Sequence, residues 1–258
     1  MFQALHMPVI GHRVVLLDSV DSTNNYAAKA LARHELQHGT AIMALEQTAG
    51  SGQRGRAWTT LKGLDLAASV VLLPQGLAAG AQSMLSKMAA LAVHDVVADA
   101  MRKCNRNADE VRIKWPNDVL VGREKVAGIL ITNEVHGNWL TSSIVGMGIN
   151  VNSSGWPGDM AATSLLVQTG AQHDLGEAVR LLCQRMEHWW ALLRTDPEQL
   201  SRAYGQLLWG RGRFCSFVLD GAAFYARLLD VDGTGRLLVE DDAGRVAAYG
   251  LERLSLQR

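Results

Sequence analysis

Short apolar runs alternate along the chain with longer stretches whose apolar residues recur at helical spacing. "RVVLL" (13–17), "TAIMAL" (40–45) and the run 66–73 predict strands. "DSTNNYAAKALARHEL" (21–36) predicts a helix, with Asp21, Ser22 or Thr23 as cap before an alanine-rich run. Leu85, Met88, Ala92, Val96, Val97 and Met101 fall on one face of a long helix over 82–104. "VRIKW" (111–115) and "VLV" (119–121) flank a turn at "PND", and 125–134 and 139–150 predict adjacent strands. Helices follow over 174–194, opened by Asp174 and Glu177, and over 196–209, with Asp196 as cap and Pro197 in the first turn. After Trp209 the texture changes to short apolar runs split by "DG", "DGTG" and "DAG", the pattern of a small all-β barrel of hairpins. These shifts divide the chain into units 1–208 and 209–258.

Length and composition narrow the classes. At 258 residues there is room for one large domain and a small one, and 48% hydrophobic with 19% charged residues is an ordinary globular balance. Lys+Arg and Asp+Glu both number 25, so no basic excess points to nucleic acid. Cys104, Cys183 and Cys215 are far apart and form no metal-binding spacing, so neither a disulfide framework nor a metal site is expected. Reduced thiols fit a cytoplasmic location. The N-terminus lacks the basic-then-apolar order of a secretory signal. Residues 66–86 form the longest uncharged run, but "PQG" splits it, so it reads as a strand, a loop and a helix start, and no membrane partner is expected.

The densest chemistry lies in "LEQTAGSGQRGRAW" (45–58), where Gly50, Gly52 and Gly55 spell a dinucleotide-type G-x-G-x-x-G. That reading needs a helix after the glycines and a carboxylate some 20 residues on. "RAWTTLKGLDL" has no helical spacing, and 70–78 carry no carboxylate. Arg54 and Arg56 near the apex suggest instead a loop that wraps an anion, since glycines let the backbone approach and guanidinium groups fit phosphate or carboxylate. A solvated surface loop is the alternative. "KWPND" (114–118) puts Lys114 at a strand end beside Trp115, with Asn117 in a turn; a plain hairpin turn is the alternative. Lys125 with Gly128, and Gly146, Gly148 and Asn150 in "GMGIN", mark close approach either to a ligand or between strands.

"DSTN" (21–24), "EQTAGSGQRGRAW" (46–58), "KWPND" (114–118), "KVAGIL" (125–130) and "GMGINVN" (146–152) stand in the order and approximate spacing of the biotin protein ligases, and over nearly its whole length the chain resembles that family. The resemblance implies an α+β fold: a mixed-sheet catalytic domain related to class II aminoacyl-tRNA synthetases, followed by an SH3-like barrel. It implies two steps, formation of biotinyl-5′-AMP from biotin and ATP with Mg²⁺ assisting, then transfer to a lysine of a biotin carboxyl carrier protein of acetyl-CoA carboxylase. Ser22, Thr23, Asn24 and Gln47 would face the ureido ring, together with Gly50, Ser51, Gly52 and Gln53 of the loop. Ser22 and Thr23 have an alternative as mere helix caps. Lys114 would serve the reacting carboxylate and phosphate, and Arg54 and Arg56 would pair with anionic oxygens. Trp58 would offer adenine a flat face, with Asn117, Lys125, Gly128 and Asn150 on the nucleotide side. No helix-turn-helix precedes the motifs, which resembles the members that are not also repressors, and a homodimer is compatible with the family. Ser51 stands where the family more often has Arg, and Gln53 where it has Arg or Gln. A lipoate ligase of the same fold and a non-catalytic biotin sensor are the rival readings.

Overall fold

A computed structural model describes residues 9–156 and 160–257; the first eight residues, on which part of the secretory-signal reading rests, lie outside them. Seven strands form one sheet: β1 (Val14–Leu17), β2 (Ala41–Ala44), β3 (Leu66–Leu72), β4 (Val111–Lys114), β5 (Asp118–Val121), β6 (Glu124–His136) and β7 (Trp139–Ile149). Their order is β1-β2-β3-β7-β6-β5-β4. β1 and β2 run parallel and every other neighbouring pair antiparallel, so the sheet is mixed as expected.

The period of two along each strand sorts side chains to two faces. Met43, Val70, Leu72, Val145 and Met147 point to one core, which α2 (Gln82–Lys103), α4 (Leu175–Thr195) and α5 (Pro197–Leu207) cover. Ile42, Val71 and Ile144 point the other way and pack on Ala27 and Ala30 of α1 (Thr23–Ala32). α2 is buried along almost its whole length, which explains its high apolar content. The run 66–86 resolves into β3, a loop and the start of α2, and no helix of the described residues is long and apolar enough to cross a membrane.

Two helix details depart from the apolar pattern. α1 stops at Ala32 rather than at residue 36. His34 adopts φ +60, and the amides of His34 and Glu35 donate to the carbonyls of Leu31 (2.9 Å) and Ala30 (3.0 Å), a Schellman closure that terminates the helix. The short α3 (Leu165–Thr169), capped by the Ser164 hydroxyl and ended by Gly170 at φ +77, is too brief to show a period. The expected caps of α4 and α5 are present: Asp174 accepts from the Glu177 amide at 2.7 Å and Asp196 from that of Gln199 at 2.8 Å.

The C-terminal strands β8 (Phe214–Leu219), β9 (Ala222–Val231), β10 (Leu237–Glu240), β11 (Val246–Tyr249) and β12 (Leu254–Leu256) form a second, antiparallel sheet ordered β11-β10-β9-β8-β12. It is tied to the first unit by donors reaching main-chain carbonyls. The Trp209 amide donates to Ile113 (2.8 Å), Trp115 Nε1 to Gly235 (3.0 Å), and Lys87 Nζ to Val231 (3.0 Å) and Asp232 (3.1 Å). Burial pulls the Lys87 ammonium below the usual lysine range, and these carbonyls offset part of its desolvation.

Candidate active site

A cleft of about 490 Å³ opens on the α1 side of the large sheet. Its floor is shaped by missing side chains. Gly128 of β6 and Gly146 and Gly148 of β7 face it, so other groups reach down to the backbone. A Cβ on Gly148 would stand 2.5 Å from Nε1 of Trp58, and one on Gly128 would stand 3.0 Å from the same indole and 3.1 Å from Lys125 Nζ. A Cβ on Gly146 would overlap the Asn24 amide. The Trp58 indole therefore lies flat against a glycine floor, and its Nε1 is buried without a hydrogen-bond partner.

Part of the cleft lining is a chain of neutral polar groups. Gln47 Oε1 accepts from the Thr23 amide (2.9 Å) and from the Thr23 hydroxyl (3.1 Å). The Ser69 hydroxyl, fully buried on β3, lies within donating distance of Thr23 Oγ1 (2.7 Å) and of Asn24 Oδ1 (2.6 Å). Asn24 Nδ2 donates to the Leu130 carbonyl at 3.1 Å, which fixes its oxygen toward Ser69. Two hydroxyl protons thus serve three contacts, so the chain is one donor short. Ser22 is the N-cap of α1 by position, but its side chain makes no capping bond. That leaves the hydroxyl of a buried residue facing the cleft.

The cleft is also lined by cations. Arg54, Arg56, Lys114 and Lys125 line the cleft, against one carboxylate, that of Asp118. The glycine loop folds as a tight hairpin: Ser51 pairs with Ala57, Gly52 donates to the Arg56 carbonyl at 2.7 Å, and Trp58 to that of Gly50 at 2.8 Å. Arg54 and Gly55 take φ +56 and +73, and this left-handed pair reverses the chain and leaves both guanidinium groups exposed. Lys114, at the end of β4, donates to the Leu256 carbonyl at 2.8 Å. Lys125 Nζ sits 2.6 Å from Asp118 and 5.3 Å from the centre of the Trp58 ring. Asn117 Nδ2 donates to the Ile129 carbonyl at 2.8 Å, pinning the turn to β6. Such a surplus of fixed positive charge suits an anion.

Most residues singled out from the sequence therefore meet in one cleft: Ser22, Thr23, Asn24, Gln47, Ser51, Gly52, Gln53, Arg54, Arg56, Trp58, Lys114, Asn117, Lys125 and Gly128. Gly50 and Asn150 do not line it. A Cβ on Gly50 would stand 2.9 Å from Gln47 Nε2, so this glycine makes room inside the loop. Asn150 is buried, with its amide donating to the Thr163 carbonyl at 2.9 Å, and it holds the chain behind the cleft. Sequence reasoning missed Ser69, whose one signal was a lone hydroxyl in the apolar run "LAASVVL". It also missed Asp118 as the partner of Lys125, and Leu251, Leu254 and Leu256, which reach the cleft from the last strand and the turn before it. Nothing in a local pattern marks those leucines.

Comparison with known proteins gives the family. The family model described as "Biotin/lipoate A/B protein ligase family" matches residues 16–150. The chain is 38% identical to the biotin–[acetyl-CoA-carboxylase] ligase of Paracoccus denitrificans over 70% of this chain and 74% of that protein. It is 29% identical to the bifunctional ligase/repressor BirA of Bacillus spizizenii over 96% of this chain and 75% of that one. It shares its fold with the biotin protein ligase from Aquifex aeolicus solved with biotin and ATP, with a TM-score of 0.77 at 24% identity, covering 96% of this chain and 99% of that structure. With the family model spanning more than half of its residues, the chain belongs to the biotin/lipoate A/B protein ligase family.

Proposed function

We propose that the chain is an ATP-dependent biotin protein ligase that acts on a carrier domain of acetyl-CoA carboxylase. In the first step a biotin carboxylate oxygen attacks the α-phosphorus of ATP, the bond to the β-phosphate oxygen breaks, and diphosphate leaves. In the second a carrier lysine amine attacks the acyl carbon of biotinyl-5′-AMP, AMP leaves, and the amine loses a proton. The observation that carries the reading is the juxtaposition of a donor-deficient neutral chain with four cations in one cleft. A ureido ring brings N–H donors to the first, and a carboxylate with a triphosphate suits the second. The dithiolane ring of a lipoyl group has no donor, which favours biotin over the lipoate alternative.

The residue roles follow. Gln47, Thr23, Asn24 and Ser22 hold the ureido ring, with Ser51, Gly52 and Gln53 of the hairpin beside it. Lys114 carries a fixed charge to the oxygens on which negative charge grows as phosphorus is attacked. Arg54 and Arg56 pair with phosphate or carboxylate oxygens. Trp58 supplies an aromatic face for adenine, and Asn117, Lys125 and Gly128 shape the nucleotide end. Mg²⁺ commonly binds through one or two carboxylates plus substrate phosphates; Asp118, the carboxylate that lines the cleft, is paired with Lys125 at 2.6 Å, so the substrate phosphates would supply most of its ligands. When bound it would neutralise phosphate charge. The same reading places the enzyme in the cytoplasm, divides it at 208/209, and admits a homodimer. Biotin-dependent exchange of labelled diphosphate into ATP, followed by transfer to a purified carrier domain, tests it. Lipoate-dependent exchange without a biotin response would overturn it.

A further inference from the structure

Ser69 has no contact with the cleft, yet it holds two residues that line it. It sits on β3 between Ala68 and Val70, fully buried, on the strand face turned toward α1. A hydroxyl in so dry a place is retained only where it has partners, and here the partners are Thr23 Oγ1 at 2.7 Å and Asn24 Oδ1 at 2.6 Å. Asn24 cannot turn its amide to relieve the competition, because Nδ2 is bound to the Leu130 carbonyl at 3.1 Å and Gly146 leaves only backbone beneath it. The Thr23 proton can go to Gln47 Oε1 at 3.1 Å, which also holds the Thr23 amide at 2.9 Å, or to Ser69 at 2.7 Å, but not to both. Two hydroxyl protons cover the three contacts, so one contact lacks a proton and the oxygen left without one is free to take a donor from the cleft.

We propose that Ser69 is a specificity-determining positioning residue for the first substrate. It keeps Thr23 and Asn24 apart at a fixed spacing and leaves one acceptor vacancy, matched to one N–H of a cyclic urea. The inference rests on the biotin reading of the cleft. With alanine at this position Thr23 and Asn24 lose the hydroxyl that joins them, Thr23 is held by Gln47 alone, and the acceptor spacing is no longer set.

The test compares Ser69→Ala, Ser69→Thr and the unmodified protein in biotin-dependent diphosphate exchange, with thermal unfolding as a control. In Ser69→Ala the KM for biotin should rise about tenfold, while kcat and the KM for ATP change less than about twofold and the melting temperature stays near that of the parent. Ser69→Thr, which keeps the hydroxyl, should restore most of the biotin KM. A biotin analogue methylated on one ureido nitrogen should be discriminated against less by Ser69→Ala than by the parent. A biotin KM unchanged in Ser69→Ala, or KM values for biotin and ATP that rise together, would overturn the inference while leaving the ligase reading intact. No biotin-dependent exchange in the unmodified protein would overturn the ligase reading and this inference with it.

Discussion

Lys114 Nζ donates to the main-chain carbonyl of Leu256 across 2.8 Å, so the lysine that ends β4 is steered by the last strand of the chain. Under the proposed reaction this lysine faces the developing phosphoryl charge. Lys114→Ala should slow adenylation by about 100-fold or more, roughly 3 kcal/mol of transition-state stabilisation. Biotin affinity measured by calorimetry should fall much less. Diphosphate exchange near the parent rate would remove Lys114 from the chemistry.

Gly148 and Gly128 offer a graded test of the floor. A methyl group at position 148 would stand 2.5 Å from Trp58 Nε1, whereas one at 128 would stand 3.0 Å from the indole and 3.1 Å from the flexible end of Lys125. Gly148→Ala should displace the indole, change tryptophan fluorescence, and weaken ATP binding by about tenfold or more, near 1.4 kcal/mol. Gly128→Ala should do less. Equal losses in the two variants would show that Trp58 is not the group they act through.

Gln53 borders both the main cleft and a neighbouring cavity of about 300 Å³. A charged hydrogen bond contributes roughly 1.5–3 kcal/mol against about 0.5–1.5 for a neutral one. Gln53→Arg should therefore slow escape of the adenylate about fivefold and reduce labelling of a bystander protein such as albumin. Unchanged bystander labelling would mean that residue 53 does not face the intermediate.

His38 makes stability depend on pH. Its Nδ1 accepts the Leu73 amide proton at 2.9 Å, and burial pushes its pKa below the ordinary 6.5. His173, lowered mainly by burial too, acts in the same direction. A histidine held neutral in the folded state contributes fully above the unfolded pKa, and that contribution is lost as pH falls below about 6.5 toward the folded value. Asp95 adds nothing in this window. Burial pulls its carboxyl upward, but hydrogen bonds from His94 and Trp189 hold it below 3.8 overall. The melting temperature should fall between about pH 7.5 and pH 5.5, and His38→Gln, which keeps an acceptor for Leu73, should flatten that slope. A slope identical in the variant would assign the pH dependence elsewhere.

Several features were legible because their cause is local. β3 showed as an apolar run because both of its faces are buried, and α4 and α5 began where Asp174 and Asp196 cap their own helices. The glycine–arginine loop and "KWPND" could be read as chemistry because the residue types themselves bind anions and turn the chain. Local pattern overran α1 to residue 36, since only the left-handed His34 marks its end, and it missed the five-residue α3.

What the sequence by itself determined, then, is the order of strands and helices, the family motifs, and which side chains carry charge or hydrogen-bonding groups. Tertiary structure alone decided which of them meet. Pairing of β3 with β7 sets Ser69 opposite Gly146 and behind Asn24, from 45 residues away in sequence. Packing of the C-terminal sheet brings the Leu256 carbonyl to Lys114 across 142 residues. The same packing forces turned Asn150, a plausible ligand contact by motif, into a buried brace for Thr163. Such contacts join residues whose sequence neighbours carry no trace of one another. They exist only because burying the apolar faces of the two sheets brings distant strands together.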